Sequence, residues 1–191
     1  GVVNIGFSFN FYGANYSQCV IGSNGLVSFN LANAGGYCPW ALSGVGPLPS
    51  ATFTSAKNTI MLTYQDINPS LGGQIQYQTL GTAPNRKFVV LYKNIMMFSC
   101  TAQCNYMAII MYETSNIFEL HIGNKPICAG WNAGLAIQGS ENNAPAPIAH
   151  ITPGRNNTVW GANQDGRRFL PTSPRSEEHT SELQSRQYLV C

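Results

Sequence analysis

The sequence predicts an all-β fold, a two-sheet antiparallel β-sandwich of jelly-roll-like form with about ten or eleven strands. Three observations predict it. Apolar residues alternate with polar ones instead of recurring every third or fourth position, so the chain carries the period of a strand and not of a helix. Nineteen glycines and 11 prolines, with Asn and Ser among them, break up that alternation at the spacing of short strands joined by turns. No segment carries the stripe of an ordinary helix, and no internal repeat is visible.

The elements follow in order. Phe7, Phe9 and Phe11 share one face of a first strand. Strands at 19–21 and 26–29 flank Ser23-Asn24-Gly25, and Asn-Gly is a strong hairpin signal because both residues tolerate positive φ. Residues 31–58 form a long Gly-, Pro- and Ser-rich loop, too long for a simple turn. Strands resume at 60–64 and at 74–80, where Ile75, Tyr77 and Thr79 point one way and Gln74, Gln76 and Gln78 the other. One side of that strand is therefore wet. Segment 87–95 reads as a central strand buried on both faces, Phe88, Val90 and Tyr92 on one side and Val89 and Leu91 on the other. Segments 106–113 and 117–122 make a second hairpin across Thr114-Ser115-Asn116, with Phe118, Leu120 and Ile122 inward and Glu119 and His121 toward solvent or a neighbouring strand. A further strand runs through 133–138, with weaker ones near 148–151, 159–160 and 168–170. The pattern is too continuous for a domain boundary, so residues 1–174 read as one domain.

Composition narrows the function classes. Only 9% of the chain is charged, with a net charge of +2, where globular proteins carry about a quarter. Part of that charge lies in residues 175–191, which resemble an in-frame translation of a short sequencing adapter and are set aside as an artefactual tail. The remainder holds five acidic and eight basic side chains, so the surface must be built from uncharged polar groups, and 19 asparagines supply much of it. A chain that begins at Gly1 without methionine reads as a fragment of a larger protein. Scattered Lys and Arg exclude a nucleic-acid interface, and 44% hydrophobic residues exclude a disordered chain. No apolar run approaches the roughly 18 residues of a membrane span.

Setting aside Cys191, five cysteines remain, an odd number: Cys19, Cys38, Cys100, Cys104 and Cys128. Several cysteines in a charge-poor β domain point to an oxidising, extracytoplasmic setting. The register of the second hairpin carries Cys128 beside the loop 100–104, so Cys128 is expected to bridge Cys100 or Cys104. Cys19 with Cys38 is the second expected bridge, because Cys38 follows the strand that pairs back along Cys19. A zinc site from Cys100, Cys104, Cys128 and His121 is the rival reading, but Cys-x3-Cys without a second tight pair is a poor match. No cofactor is expected.

Catalysis needs residue types that residues 1–174 hardly hold. The acids are Asp66, Glu113, Glu119, Glu141 and Asp165, and the histidines His121 and His150. Glu113 and Glu119, near one hairpin, are the only local pair for glycoside hydrolysis, and exposed strand-end charges are the plainer reading. Gly22-Ser23-Asn24-Gly25 lacks the spacing of a nucleophile elbow, and Gly44-Val45-Gly46 and Gly72-Gly73 lack a phosphate loop's pattern and helix. Asp66 and Asn68 offer oxygens two residues apart, a weak calcium candidate against the alternative of an Asx turn. The aromatics Tyr37, Trp40, Trp131 and Trp160 lie in or beside irregular segments, where flat rings next to amides suit a sugar's apolar face and hydroxyls; the alternative is that they close the ends of the sandwich. Asn15-Tyr16-Ser17 and Asn156-Asn157-Thr158 match the N-glycosylation pattern.

Several stretches carry a family likeness: Phe9-Asn-Phe-Tyr-Gly13, Cys19-Val-Ile-Gly-Ser-Asn-Gly-Leu-Val-Ser-Phe29, Gly36-Tyr-Cys-Pro-Trp40, Tyr64-Gln-Asp-Ile-Asn-Pro69, Asn124-Lys-Pro-Ile-Cys-Ala-Gly-Trp131 and Pro153-Gly-Arg-Asn156. Together they resemble a β-sandwich domain of very large surface proteins of gliding bacteria, of the kind exported by type IX secretion. The order Phe-Tyr-Gly, Ser-Asn-Gly, Gln-Asp-Ile and Gly-Gly is also similar, more distantly, to the extracellular nidogen domain. The resemblance implies a secreted or cell-surface module without catalytic residues, and it favours Cys100 over Cys104 as the partner of Cys128. The expected function is that of a non-catalytic adhesive or structural module of a large surface protein. The alternative is a carbohydrate-binding module using Tyr37, Trp40, Trp131 or Trp160. Surface glycans or extracellular proteins are the expected partners.

Overall fold

A computed structural model describes residues 1–50 and 52–171, so the adapter-like segment 175–191 lies outside the described residues. Twelve strands form two antiparallel sheets. The first sheet runs β1 (Val2–Phe11), β2 (Ala14–Gly22), β3 (Leu26–Ser28), β4 (Thr59–Tyr64), β10 (Leu135–Glu141), β11 (Ala149–Val159). The second runs β12 (Ala162–Phe169), β9 (Phe118–Lys125), β8 (Cys104–Tyr112), β7 (Lys87–Met97), and its far edge is shared by β5 (Ile67–Asn68) and β6 (Gln74–Leu80), both paired with β7. The connectivity is that of two meanders joined by crossovers.

Alternation placed the core well. Ile5, Phe7, Phe9 and Phe11 of β1 meet Phe88, Val90 and Tyr92 of β7 and Phe118, Leu120 and Ile122 of β9 in one cluster between the sheets. Tyr92, fully buried, crosses that core and donates from its hydroxyl to the carbonyls of Gly22 (2.8 Å) and Leu26 (3.0 Å). On the outer face of β7, Val89 and Leu91 are only half-buried, so this central strand is wet on one side and not buried on both. Side-chain links close the two edges. Thr79 of β6 donates to the Ile5 carbonyl of β1 at 2.7 Å, and Arg155 of β11 pairs with Asp165 of β12.

The turn at Ser23-Asn24-Gly25 differs from a two-residue hairpin. It is a three-residue loop between paired Gly22 and Leu26, and only Gly25 takes positive φ (+77°), the position that a bulged three-residue hairpin reserves for glycine. The amides of Leu62 and Thr63 both point at the Gly25 carbonyl (2.9 and 3.4 Å), a β-bulge in β4. The extra residue changes which way the strand faces: Ile60 and Leu62 enter the core between the sheets, whereas Met61 and Tyr64 turn outward.

That outward face is covered by the long segment 31–58. Leu42, Leu48 and Ala56 of the segment join Leu26, Met61, Tyr64 and Ile137 in a second buried cluster, with Phe53 stacked 5.7 Å from Tyr64. Two short 3-10 turns apart, the described residues of the segment have no regular structure, so their backbone groups need other partners. Amide side chains supply them. Asn24 donates to the carbonyls of Cys38 (3.0 Å) and Pro39 (3.1 Å) and accepts from the Ile67 amide (3.2 Å). Asn132 accepts from Leu42 and Ser43 and donates to Trp40, Asn156 clasps both backbone groups of Leu48, and Asn157 donates to Leu42 and Gly46. The Asn156 amide is thus engaged in packing the loop and is not free to accept a glycan, whereas Asn15 is exposed.

Of the expected bridges, Cys100 and Cys128 form a disulfide. Cys19 and Cys38 do not. Cys19 points into the core between the sheets and Cys38 packs under the long segment on the opposite face of the first sheet, so the sheet itself separates them. Cys104 is also a free thiol. Burial pushes the Cys19 thiol up to about 12.

Two outcomes test this account. Asn24→Ala strands the Ile67 amide and two loop carbonyls, and should lower unfolding free energy by on the order of 3 kcal/mol in urea titrations; a loss under about 1 kcal/mol would show that water replaces the amide. Glu141, fully buried beneath the segment, has no hydrogen-bond partner of ordinary geometry among the described residues for either oxygen, and burial pushes its carboxyl up to about 7 against the pull of Lys57 and the nearby Ser50 backbone. Its raised value makes its contribution fully present below the ordinary 4.5 and lost as pH climbs through about 7. Glu141→Gln should therefore flatten that part of the pH–stability curve, by roughly 1–2 kcal/mol between pH 4 and 8, and an unchanged slope would place the dependence elsewhere.

Candidate functional site

Three irregular segments meet at one end of the sandwich. The loop after β7 brings Phe98, the long segment brings Trp40, and the turn before β10 brings Trp131. The Trp40 and Trp131 rings stack at 5.2 Å and 30°, and Phe98 lies 5.1 Å from Trp131 on another side. Both indoles are half-buried and Phe98 is 43% exposed, so the three rings form an open shelf and not a core.

Each ring is held from behind. The Trp131 indole N–H donates to Asp66 Oδ2 at 2.6 Å, the Trp40 carbonyl accepts from Asn132, and the Cys100–Cys128 bridge ties the Phe98 loop to the Trp131 turn. Burial pushes the Asp66 carboxyl up, and the indole hydrogen bond pulls part of the way back. Asn68, the other weak calcium candidate, accepts from the amide and hydroxyl of Ser70 (2.9 and 2.7 Å), capping a 3-10 turn. Its oxygen is used by an Asx turn and Asp66 Oδ2 by an indole. Among the described residues no three His, Cys, Asp or Glu side chains are grouped as a metal site would need.

The other aromatics go elsewhere. Trp160 is buried, 8% exposed, with its N–H on the Ala136 carbonyl (3.1 Å) and its ring between Lys125 and Arg155, each 4.4 Å from the centroid. It cannot serve as a binding platform. Burial, reinforced by Arg155, depresses the Lys125 amine to about 7. Tyr37 is 75% exposed and stands at a separate cavity.

The acidic pair considered for hydrolysis is spoken for. Arg86 holds Glu113 through side-chain bonds of 2.8 and 2.5 Å and a backbone bond of 3.0 Å, drawing its carboxyl down to about 2. Burial alone would raise Glu119, but hydrogen bonds from His121, Arg168 and Tyr112 outweigh it and hold it low. A general acid needs a raised value, and both move the other way.

A family model described as NIDO related matches residues 1–170. The chain belongs to the NIDO-related family. No curated protein and no solved structure matches it. NIDO-related membership and the disulfide mark an extracellular-type module, in agreement with the nidogen likeness of the motifs. No described helix is long and apolar enough to cross a membrane.

Of the aromatics singled out in the sequence of this NIDO-related chain, Trp40 and Trp131 meet in the shelf; Phe98 and Asn132, which join them there, were not singled out. The signal for Phe98 was within reach: a Cys100–Cys128 bridge places residues two before and three after its ends side by side. Asn132 was one asparagine among 19. Removing the bridge with Cys100→Ser and Cys128→Ser, at a separation of 28 residues, should cost roughly 3–4 kcal/mol and shift tryptophan emission to the red as the shelf opens. Unchanged emission would mean that packing alone holds the rings.

Proposed function

We propose that this chain is a non-catalytic adhesive module of a large extracellular surface protein, and that it makes contact through the Trp40–Trp131–Phe98 shelf. One observation carries the reading. All five acidic side chains of the described residues are withdrawn from solvent chemistry: Glu113, Glu119 and Asp165 by ion pairs, Asp66 by an indole, Glu141 by burial. What such a surface presents is amides, hydroxyls, a few lysines and aromatic rings, the materials of adhesion more than of acid–base turnover. The motifs shared with surface proteins of gliding bacteria support export by type IX secretion and residence at the cell surface as part of the same reading.

The shelf itself favours one alternative, a carbohydrate-binding module, because two stacked indoles with amides behind them fit the apolar face of a pyranose. The 191-residue chain, coupled to beads and challenged with films of insoluble polysaccharide and of matrix protein, tests both readings. Retention on one of the two, falling about tenfold in Trp131→Ala with no soluble products released, is the expected result. Preference for polysaccharide selects the carbohydrate reading. Retention unchanged in Trp40→Ala and Trp131→Ala overturns the shelf, and release of soluble sugars overturns the absence of catalysis.

A further inference from the structure

The first sheet ends in β1 and β11, the second in β12 and in β6 with the two-residue β5 beside it. These outer strands are not alike. β1 breaks register with β2 between Asn4 and Phe9, carries Gly6 at φ +88°, and has its Ile5 and Gly6 carbonyls occupied by Thr79 and Arg86. β11 holds Pro153 and pairs with β10 through two register shifts. β12 carries Asp165, Arg167 and Arg168. Proline, bulges and charge are the usual means by which an outer strand is kept from pairing with another chain.

β6 has none of them. Gln74-Ile-Gln-Tyr-Gln-Thr-Leu80 contains no charge, proline or glycine, and it pairs with β7 in one unbroken register over all seven residues. β7 is its only strand partner among the described residues, so the backbone groups along its far side have no strand to bond to. Every residue of β6 is exposed or half-buried. The Tyr77 ring, 6.1 Å from that of Phe88, is still 53% exposed. An uncharged, regular and uncovered edge of this kind is a template for a further strand.

The residues of β6 also select the occupant. Thr79 donates to the Ile5 carbonyl at 2.7 Å, which holds the Thr79–Leu80 end against β1 and leaves Gln74–Gln78 as the open length. That stretch is self-complementary. In an antiparallel pair centred on Gln76, Gln74 faces Gln78 and Ile75 faces Tyr77, with the amides on one side of the sheet and two aromatic–β-branched pairs on the other. No like charges are brought together. The same stretch serves on both copies, and the contact closes, because neither copy keeps a second free β6 edge.

We propose that β6 is a self-association edge, through which two copies of this chain pair along Gln74–Gln78, antiparallel about Gln76, and join their second sheets into one. The contact uses no residue of the Trp40–Trp131–Phe98 shelf and does not depend on it. Five residues a side make a small interface, so the pair is a reversible one.

The test is sedimentation velocity of the 191-residue chain from about 1 μM to about 1 mM, with accessible free thiols alkylated so that no intermolecular disulfide contributes. A reversible monomer–dimer equilibrium with Kd on the order of 10–500 μM is the expected result, together with amide exchange in residues 74–78 that slows as the dimer fills. Gln76→Lys sets two like charges across the axis and should weaken pairing at least about tenfold, as should Gln76→Glu. An equimolar mixture of the two variants should pair again. Gln76 is exposed, so both variants should keep the native urea midpoint. Asn163→Lys on β12 and Trp131→Ala should pair like the native chain. The proposal is overturned if the chain stays monomeric to about 1 mM, if the dimer survives Gln76→Lys, or if the mixture fails to pair. Loss of pairing in Asn163→Lys or Trp131→Ala also overturns it, by moving the contact to another edge or to the shelf.

Discussion

The grip of four asparagine side chains on the backbone of the segment 31–58 is the constraint on which the rest of the structure depends. A segment of that length without strands leaves amides and carbonyls that neither sheet can satisfy, and covering a sheet face with it would strand them away from water. A primary amide offers both a donor and an acceptor on one short stem, and carries no charge to desolvate. Asn24, Asn132 and Asn156 use both ends of the amide and Asn157 its donor alone, and together they hold the backbone at four points between Cys38 and Leu48. With the backbone held, Leu42, Leu48 and Ala56 can bury the outward residues Met61, Tyr64 and Ile137. The abundance of asparagine is then a consequence of architecture, beyond its role in keeping a charge-poor surface wet.

The few charges have an equally specific distribution. They gather where the two sheets come together at their edges. Arg86 joins Glu113 and also donates to the Gly6 carbonyl across the β1 edge, and Asp165 takes Arg155 from β11 and Arg167 from its own strand on the opposite side. Glu119 collects Arg168 from the neighbouring strand. Sheet edges expose backbone groups that invite foreign strands, and the Arg86–Gly6 and Arg155–Asp165 contacts cross from one sheet to the other at those edges. With the acids engaged in this way, few carboxylates are left for the surface.

Much of the fold was legible in the sequence and little of the site was, for a common reason. Period-two alternation reports which residues of a strand face a neighbouring layer, so Phe7, Phe9, Phe11, Phe118, Leu120 and Ile122 declare themselves locally. The bulge that turns Tyr64 outward leaves no such trace, because it depends on two amides finding one carbonyl on another strand. Asn24 reads as half of a hairpin signal, yet its side chain faces a loop 14 residues away. Trp160 sits in an irregular stretch and looks exposed in sequence, but two cations and a carbonyl from other strands bury it. Cys19 and Cys38 follow a sensible pairing rule, and it fails because hairpin reasoning cannot say on which side of the sheet the long segment returns. Each miss turns on where a distant part of the chain returns, which no local period records.

The short stretch from Tyr37 to Trp40 joins these themes. It supplies Tyr37 and Cys38 to the cavity and Trp40 to the shelf, so two surfaces of different character share four consecutive residues. Their division of labour depends on the stretch being unable to roll. Asn24 takes the carbonyls of Cys38 and Pro39 from one side, Asn132 takes that of Trp40 from the other, and Asn24 is itself anchored by the Ile67 amide at the crossing between the sheets. Three successive carbonyls are thereby fixed in direction, and with them the side chains in between. Surfaces so fixed do not have to be ordered when a partner arrives, which removes the entropy cost that mobile loops impose on binding. In a molecule with so few charges, neutral amides do at this stretch the fixing that ion pairs would otherwise do.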